Sequence, residues 1–237
     1  MSTEQNLKEN DNKAGPERPA AKRPNVRKLT TLALLAAIAY VIMVVGRVPI
    51  VMFLKYDPKD VIIAVAGFIF GPLSAFFVSV VVSFAEMITV SDTGPWGFLM
   101  NVISTCAFVC PAAYIYKRKT GIKSAITGLV AGGLLTVIVM MLWNYLITPI
   151  YLGFPRQAVA ELLLPVFLPF NALKVGLNGT LTILLYKPVV KSLRRLRLVE
   201  ATARGTGAGG VKFGVIIITF AVFVTLIVLA LVMKGII

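Results

Sequence analysis

Seven apolar runs divide this chain, and they set its fold class before any motif does. They cover residues 29–45, 61–70, 73–90, 97–116, 124–148, 162–186 and 215–232. A membrane-spanning helix needs about 20 consecutive, mostly apolar residues. Most of these runs approach or reach that length; the run 61–70 is short for a full span. The 237 residues are 58% hydrophobic, which places the chain among integral membrane proteins. The expected fold is an all-α integral membrane protein, with six spans in one domain and an extra C-terminal transmembrane helix.

Charge supplies the orientation. The chain has 24 Lys and Arg against 10 Asp and Glu, a formal net charge of +14. In a soluble protein that excess would suggest nucleic acid. Here it sits in a few tracts beside apolar runs and lacks interleaved aromatics, so no nucleic-acid partner is expected. The tracts are Lys22, Arg23, Arg27 and Lys28, then Lys117, Arg118, Lys119 and Lys123, then Lys187, Lys191, Arg194, Arg195 and Arg197. By the positive-inside rule these mark cytoplasmic connections and a cytoplasmic N-terminus. A cleaved signal peptide is the competing reading of the first run, but its length and the spans that follow favour a retained helix. The division expected is a disordered cytoplasmic tail over 1–28, a six-helix domain over 29–190, a basic, Gly-rich linker over 191–210 and an additional helix over 211–237.

Residues 161–180, ELLLPVFLPFNALKVGLNGT, carry the densest chemistry. Asn171, Lys174 and Asn178 recur at spacings of three and four, so a helix puts them on one face. Pro165 and Pro169 predict a break or restart of the backbone just before them. A lysine at membrane depth costs about 2.5 to 3.5 kcal/mol. It faces a cavity, a partner helix or, by snorkelling, the interface. Asn101 continues a polar stripe that begins beside Trp96 and Gly97 and runs on to Thr105. Asn144 shares a face with Thr148. Leu54, Lys55, Tyr56 and Asp57 belong to the external connection 47–60, which folds back as a lid or dips into the headgroups. Together these residues enclose a cavity open to the outside. Asparagine offers both a donor and an acceptor, so the wall suits an uncharged heterocycle better than a bare ion.

Other chemistry is excluded by what the sequence lacks. Without histidine the commonest general base and metal ligand are gone, so neither a metal site nor a catalytic triad is expected. There is no phosphate-binding Gly-rich loop. Cys106 and Cys110 read as small packing residues. Glu86, near the outer end of its run, reads as a side chain snorkelling to the interface, which leaves no intramembrane carboxylate pair for ion coupling. Ala33 and Ala37 form a small-residue face that lets another helix approach. Binding is expected; catalysis and autonomous pumping are not.

Four stretches, YDPKDVIIAVAGFIFGPLSA, GFLMNVIST, NYLITPIY and LLLPVFLPFNALKVGLN, together with the Ala-x-x-x-Ala first helix, resemble the riboflavin-specific S components of energy-coupling factor (ECF) transporters. The resemblance covers about residues 28–190. It implies a subunit of a bacterial cell membrane that captures riboflavin from outside, as transported ligand and not as cofactor. It also implies docking through Ala33 and Ala37 on a transmembrane coupling protein carried by two cytoplasmic ATPase subunits. The matching ligand positions are Leu54, Lys55, Tyr56, Asp57, Asn101, Asn144, Asn171, Lys174 and Asn178. The long polar N-terminus and the final helix depart from the pattern. Alternatives are an S component for another vitamin such as thiamine or biotin, uptake of FMN with its phosphate on Lys174 and Lys55, a structural membrane protein, and a self-sufficient transporter.

Overall fold

The computed structural model describes residues 26–52, 54–196, 198 and 213–235. Helix α1 (Val26–Gly46) leads into a small antiparallel hairpin, β1 (Val48–Val51) and β2 (Leu54–Tyr56), in which Val48 pairs with Tyr56. Then follow α2 (Lys59–Phe70), α3 (Pro72–Thr89), α4 (Gly94–Arg118), α5 (Ile122–Leu146), two short helices α6 (Thr148–Leu152) and α7 (Arg156–Leu162), the long α8 (Leu168–Arg195) and α9 (Phe213–Met233). Six of these helical segments are long and apolar enough to cross a membrane, α9 among them.

The sequence count differs from this at one place. The run 61–70 forms α2, a helix of only 12 residues, about 18 Å long at 1.5 Å per residue. It makes up for length by burial: every residue from Lys59 to Phe68 is shielded. A helix apolar all round belongs in an interior, and α2 is the core around which α1, α3, α4 and α8 pack. Gly67 lets it approach closely, since a Cβ there would lie 3.0 to 3.1 Å from Ala113, Ala75 and Val109.

Glycine also fixes the α4–α5 contact. A Cβ at Gly128 would lie 2.8 Å from the Ala112 carbonyl oxygen, and one at Gly132 would strike that of Phe108. This is small-residue packing of the kind that membrane helices use. The expected break at the prolines is milder than a restart: between α7 and α8 the helix runs on through a π-helical turn, Leu163–Phe167, containing Pro165, and Pro169 lies in the first turn of α8.

The two ends of the bundle differ. At one end Phe68 stacks on Tyr116, with ring centroids 4.6 Å apart, and the hydroxyls of Tyr116 and Tyr186 hydrogen-bond. The hairpin, the turn after α3 and the helices α6 and α7 form the other end. Helix α9 lies along α8, Leu226 resting on Gly176, and reaches the hairpin, where Ala230 and Met233 join the cluster around Ile50. Of the expected tail over 1–28, residues 1–25 lie outside the described residues, and α1 already begins at Val26. Of the expected linker over 191–210, the first part continues α8 to Arg195, and residues 197 and 199–210 lie outside the described residues.

Candidate ligand-binding site

At the hairpin end lies a cavity of about 90 Å³. The hairpin and its flanks contribute Arg47, Leu54, Lys55 and Asp57; α3 and the following turn contribute Glu86, Ser91, Asp92 and Thr93. Met100, Asn101 and Ser104 come from α4, Met140 and Asn144 from α5, Tyr151 from α6, and Phe170, Asn171 and Lys174 from α8. Polar walls thus alternate with apolar ones.

Two of the amides are oriented by their neighbours. The Asn144 Oδ1 accepts a hydrogen bond from the Thr148 hydroxyl at 3.1 Å, so its Nδ2 is left to donate. The Asn171 Nδ2 donates to the Phe167 carbonyl at 2.7 Å, within the π-helical turn, so its Oδ1 is left to accept. The wall therefore offers a donor from α5 and an acceptor from α8. The local break at Pro165 and Pro169 supplies the carbonyl that holds Asn171.

Behind the amides lies a buried ion network. Lys59, wholly shielded, donates to Glu86 Oε2 at 2.5 Å and lies 3.6 Å from Asp57 Oδ1. Arg47 pairs with the other Glu86 oxygen and donates to the Val90 carbonyl. Asp60 accepts from the Thr105 hydroxyl at 2.6 Å and from Asn178 Nδ2 at 3.2 Å, with Lys174 Nζ 4.0 Å away. The Tyr56 hydroxyl donates to Asn178 Oδ1 at 3.0 Å. Burial would raise the Asp57 carboxyl, yet Lys59, Lys174 and Arg47 together hold it below the usual aspartate range. Burial, with Asp57 and Asp60 nearby, pushes the Tyr56 phenol well up, so it stays neutral.

Two sequence expectations are corrected here. Glu86 does not snorkel: it is 2% exposed and holds two cations. Lys59 and Asp60 are not part of an external connection but open α2 inside the bundle. A carboxylate among apolar residues needs a cation, and Arg47 and Lys59 lie 39 and 27 residues away. Helical spacing does not reach that far; the cost of an intramembrane charge is the signal that points to a partner.

Of the residues singled out from sequence, Leu54, Lys55, Asp57, Asn101, Asn144, Asn171 and Lys174 line the one cavity. Tyr56 and Asn178 stand behind it, bonded to each other. Trp96 is exposed and Gly97 buried, and neither is among the lining residues. Ala33 and Ala37 lie on the exposed face of α1, outside the cavity. Arg47, Met140, Tyr151 and Phe170 are lining residues that the sequence reading passed over, and Glu86 is one that it assigned to the interface. Among the described residues no group of three or more acidic or cysteine side chains is placed to hold a metal.

These features define a class: a multi-pass membrane protein with a polar cavity near one end of its helical bundle. The sequence profile of the family described as "ECF transporter, substrate-specific component" matches residues 27–186, well over half of the chain. The chain belongs to that family. Its members are transport subunits without catalytic or ATPase activity of their own, and this chain is one of them. It is 30% identical over 179 residues to the riboflavin transporter RibU of Staphylococcus aureus, covering 72% of this chain and 94% of that one. It is 29% identical over 162 residues to the riboflavin transporter FmnP of Bacillus subtilis, covering 63% and 84%. A solved structure described as the S component of a bacterial ECF transporter superposes with a TM-score of 0.60 at 30% identity, over 71% of this chain and 98% of that one.

Proposed function

We propose that this chain is the riboflavin-capturing subunit of an ATP-driven importer in a bacterial plasma membrane. The observation that carries this reading is the convergence of Asn101, Asn144 and Asn171, from three different helices, on one cavity with Lys174 and the hairpin. The free donor of Asn144 and the free acceptor of Asn171 suit the edge of a flavin ring, where donors and acceptors alternate. Lys174 carries an ammonium with three donors, and it pairs with Asp60 at the long distance of 4.0 Å. Those donors suit a ribityl hydroxyl or a ring carbonyl. Leu54, Met100, Met140 and Phe170 give the ring apolar surface. The names of the relatives support a flavin over other vitamins.

Ligand pockets occupy roughly 300–1,000 Å³, more than the cavity of about 90 Å³ seen here. In this reading the hairpin and the turn at Ser91–Thr93 part to admit the flavin and close over it. Lys55 and Asp92, which pair across that gap, come apart as they do. The cavity faces the outside, and the N-terminus and the basic tracts face the cytoplasm. The coupling protein of the importer docks on the Ala33 and Ala37 face, and two cytoplasmic ATPase subunits supply the energy. Helix α9 is then an addition to the six-helix domain of 29–190, joined through 191–210, with 1–28 as a polar tail.

Titration of the purified, flavin-stripped protein, followed by quenching of riboflavin fluorescence, tests the reading. Saturable one-to-one quenching is expected. Unchanged fluorescence with a folded protein removes the flavin assignment and leaves the family standing.

A further inference from the structure

The hairpin over the cavity is too small to hold itself in place. Its strands have four and three residues, and their register slips between Pro49 and Val51. Met52, at the turn, has a φ of 49°, a left-handed conformation that is costly for a residue with a side chain. An isolated two-stranded hairpin is marginally stable at best. Its position therefore depends on what surrounds it.

Polar contacts hold the roots of the hairpin and β2. Glu86 on α3 pairs with Arg47, just before β1, and with Lys59, shortly after β2, so one carboxylate pins both ends. Within β2, Lys55 pairs with Asp92 and Tyr56 donates to Asn178. Strand β1 is different. Val48, Pro49, Ile50 and Val51 are all apolar, so packing alone can hold their side chains. Helix α9 packs on that strand.

The residues that make this contact form a stripe. Phe223, Leu226, Ala230 and Met233 recur at spacings of three and four, which puts them on one face of α9. That face packs against the cluster that holds Ile50 and Leu54 of the hairpin and Phe170 of α8. Leu54 and Phe170 also line the cavity. One turn before Ala230, Leu226 seats against Gly176 of α8, where a Cβ would lie 2.9 Å from it. Helix α9 thus bridges one wall of the cavity and the hairpin that covers it. Lifting the hairpin off α9 uncovers Ile50, now 8% exposed, and forfeits its packing.

We propose that α9 braces the hairpin: its packing on β1 holds the hairpin over the cavity and slows both entry and release of the ligand. The effect on the ligand rests on the vitamin-capture reading above; the brace itself does not. A brace that favours the closed hairpin equally with and without ligand changes both rates by one factor and leaves affinity as it is. A helix that only adds stability would instead protect the whole bundle.

Amide hydrogen exchange of the full-length protein reads the brace without any ligand. In Met233→Ala the hairpin amides should exchange about fivefold faster. Ala230→Phe, which pushes α9 off β1, should do the same. Met233→Leu, close in volume, should keep the protection. So should Val228→Ala, on the opposite, exposed face of α9. Stopped-flow quenching of riboflavin should then show capture and release both about fivefold faster in Met233→Ala, at unchanged affinity. Hairpin exchange that stays the same in both Met233→Ala and Ala230→Phe overturns the proposal. So does faster exchange spread evenly over α5 and α8, which marks a loss of general stability alone. Faster hairpin exchange with unchanged flavin rates overturns the control of entry and release. Faster hairpin exchange in a folded protein that binds no flavin overturns the flavin reading and leaves the brace standing.

Discussion

Lys59 has no water to fall back on. Its side chain is wholly shielded, and it is held by Glu86 and Asp57. Removing one partner of a buried ion pair leaves an uncompensated charge and costs about 3–5 kcal/mol. Lys59→Met should therefore lower the thermal unfolding midpoint sharply in detergent, a loss that scanning fluorimetry reads directly. Lys174→Ala should act differently. Lys174 pairs with Asp60 at 4.0 Å, longer than the Lys59–Glu86 pair, so the protein should still insert and fold while riboflavin affinity falls in the quenching titration. Acid gives a third readout. The Asp57 carboxyl is depressed in the folded state, so the stability it contributes is present above the ordinary aspartate value of about 3.9. That stability is lost as pH falls through the lower, folded value, and unfolding curves across that acid range should show it. At this scale the sequence was legible wherever local spacing carried the meaning. Asn101, Asn144, Asn171 and Lys174 stood out because each interrupts an apolar run. The pairing of Lys59, Asp60 and Glu86 was not legible, because their partners are brought together only by the fold.

Among the elements, the α4–α5 pair tolerates least. The Gly132 position abuts the Phe108 carbonyl, with no flexible side chain there to yield. Overpacking of this kind costs about 1–3 kcal/mol, sometimes more. Gly132→Val should therefore melt earlier, with a broadened profile on size exclusion; an unchanged midpoint would show that the two helices can separate freely. A departure from the helical ladder was foreseeable at Pro165; that it takes the form of a π-helical turn, with Pro169 in the first turn of α8, was not. The role of α2 was not foreseeable. Its ten or so apolar residues read as a short span, and only the packing of four neighbours around it reveals a core helix. The hairpin shows the same limit: residues 47–60 carried the pattern of a lid, but the pairing of Val48 with Tyr56 depends on both strands at once.

On the scale of the whole molecule, α1 and α9 have separate neighbours. Helix α1 packs on α2 and α3 and leaves Ala33 and Ala37 exposed beside Leu34, Ile38 and Val41. Helix α9 packs on α8 and β1. Leucine at both Ala33 and Ala37 should spare riboflavin binding and abolish uptake by cells; uptake that survives the double substitution would remove α1 as the docking face. A chain ending at residue 210 should still bind ligand but melt earlier, since it loses the contacts of Leu226 with Gly176 and of Met233 with the hairpin cluster. The matched ions beneath the cavity bear on energetics of another kind. A membrane potential does work of about 2.3 kcal/mol per elementary charge per 100 mV. Arg47, Lys59 and Lys174 offset Asp57, Asp60 and Glu86. The cluster thus presents the transmembrane field with no net formal charge to pull on, so holding it at its depth costs the same in an energised membrane as in a depolarised one.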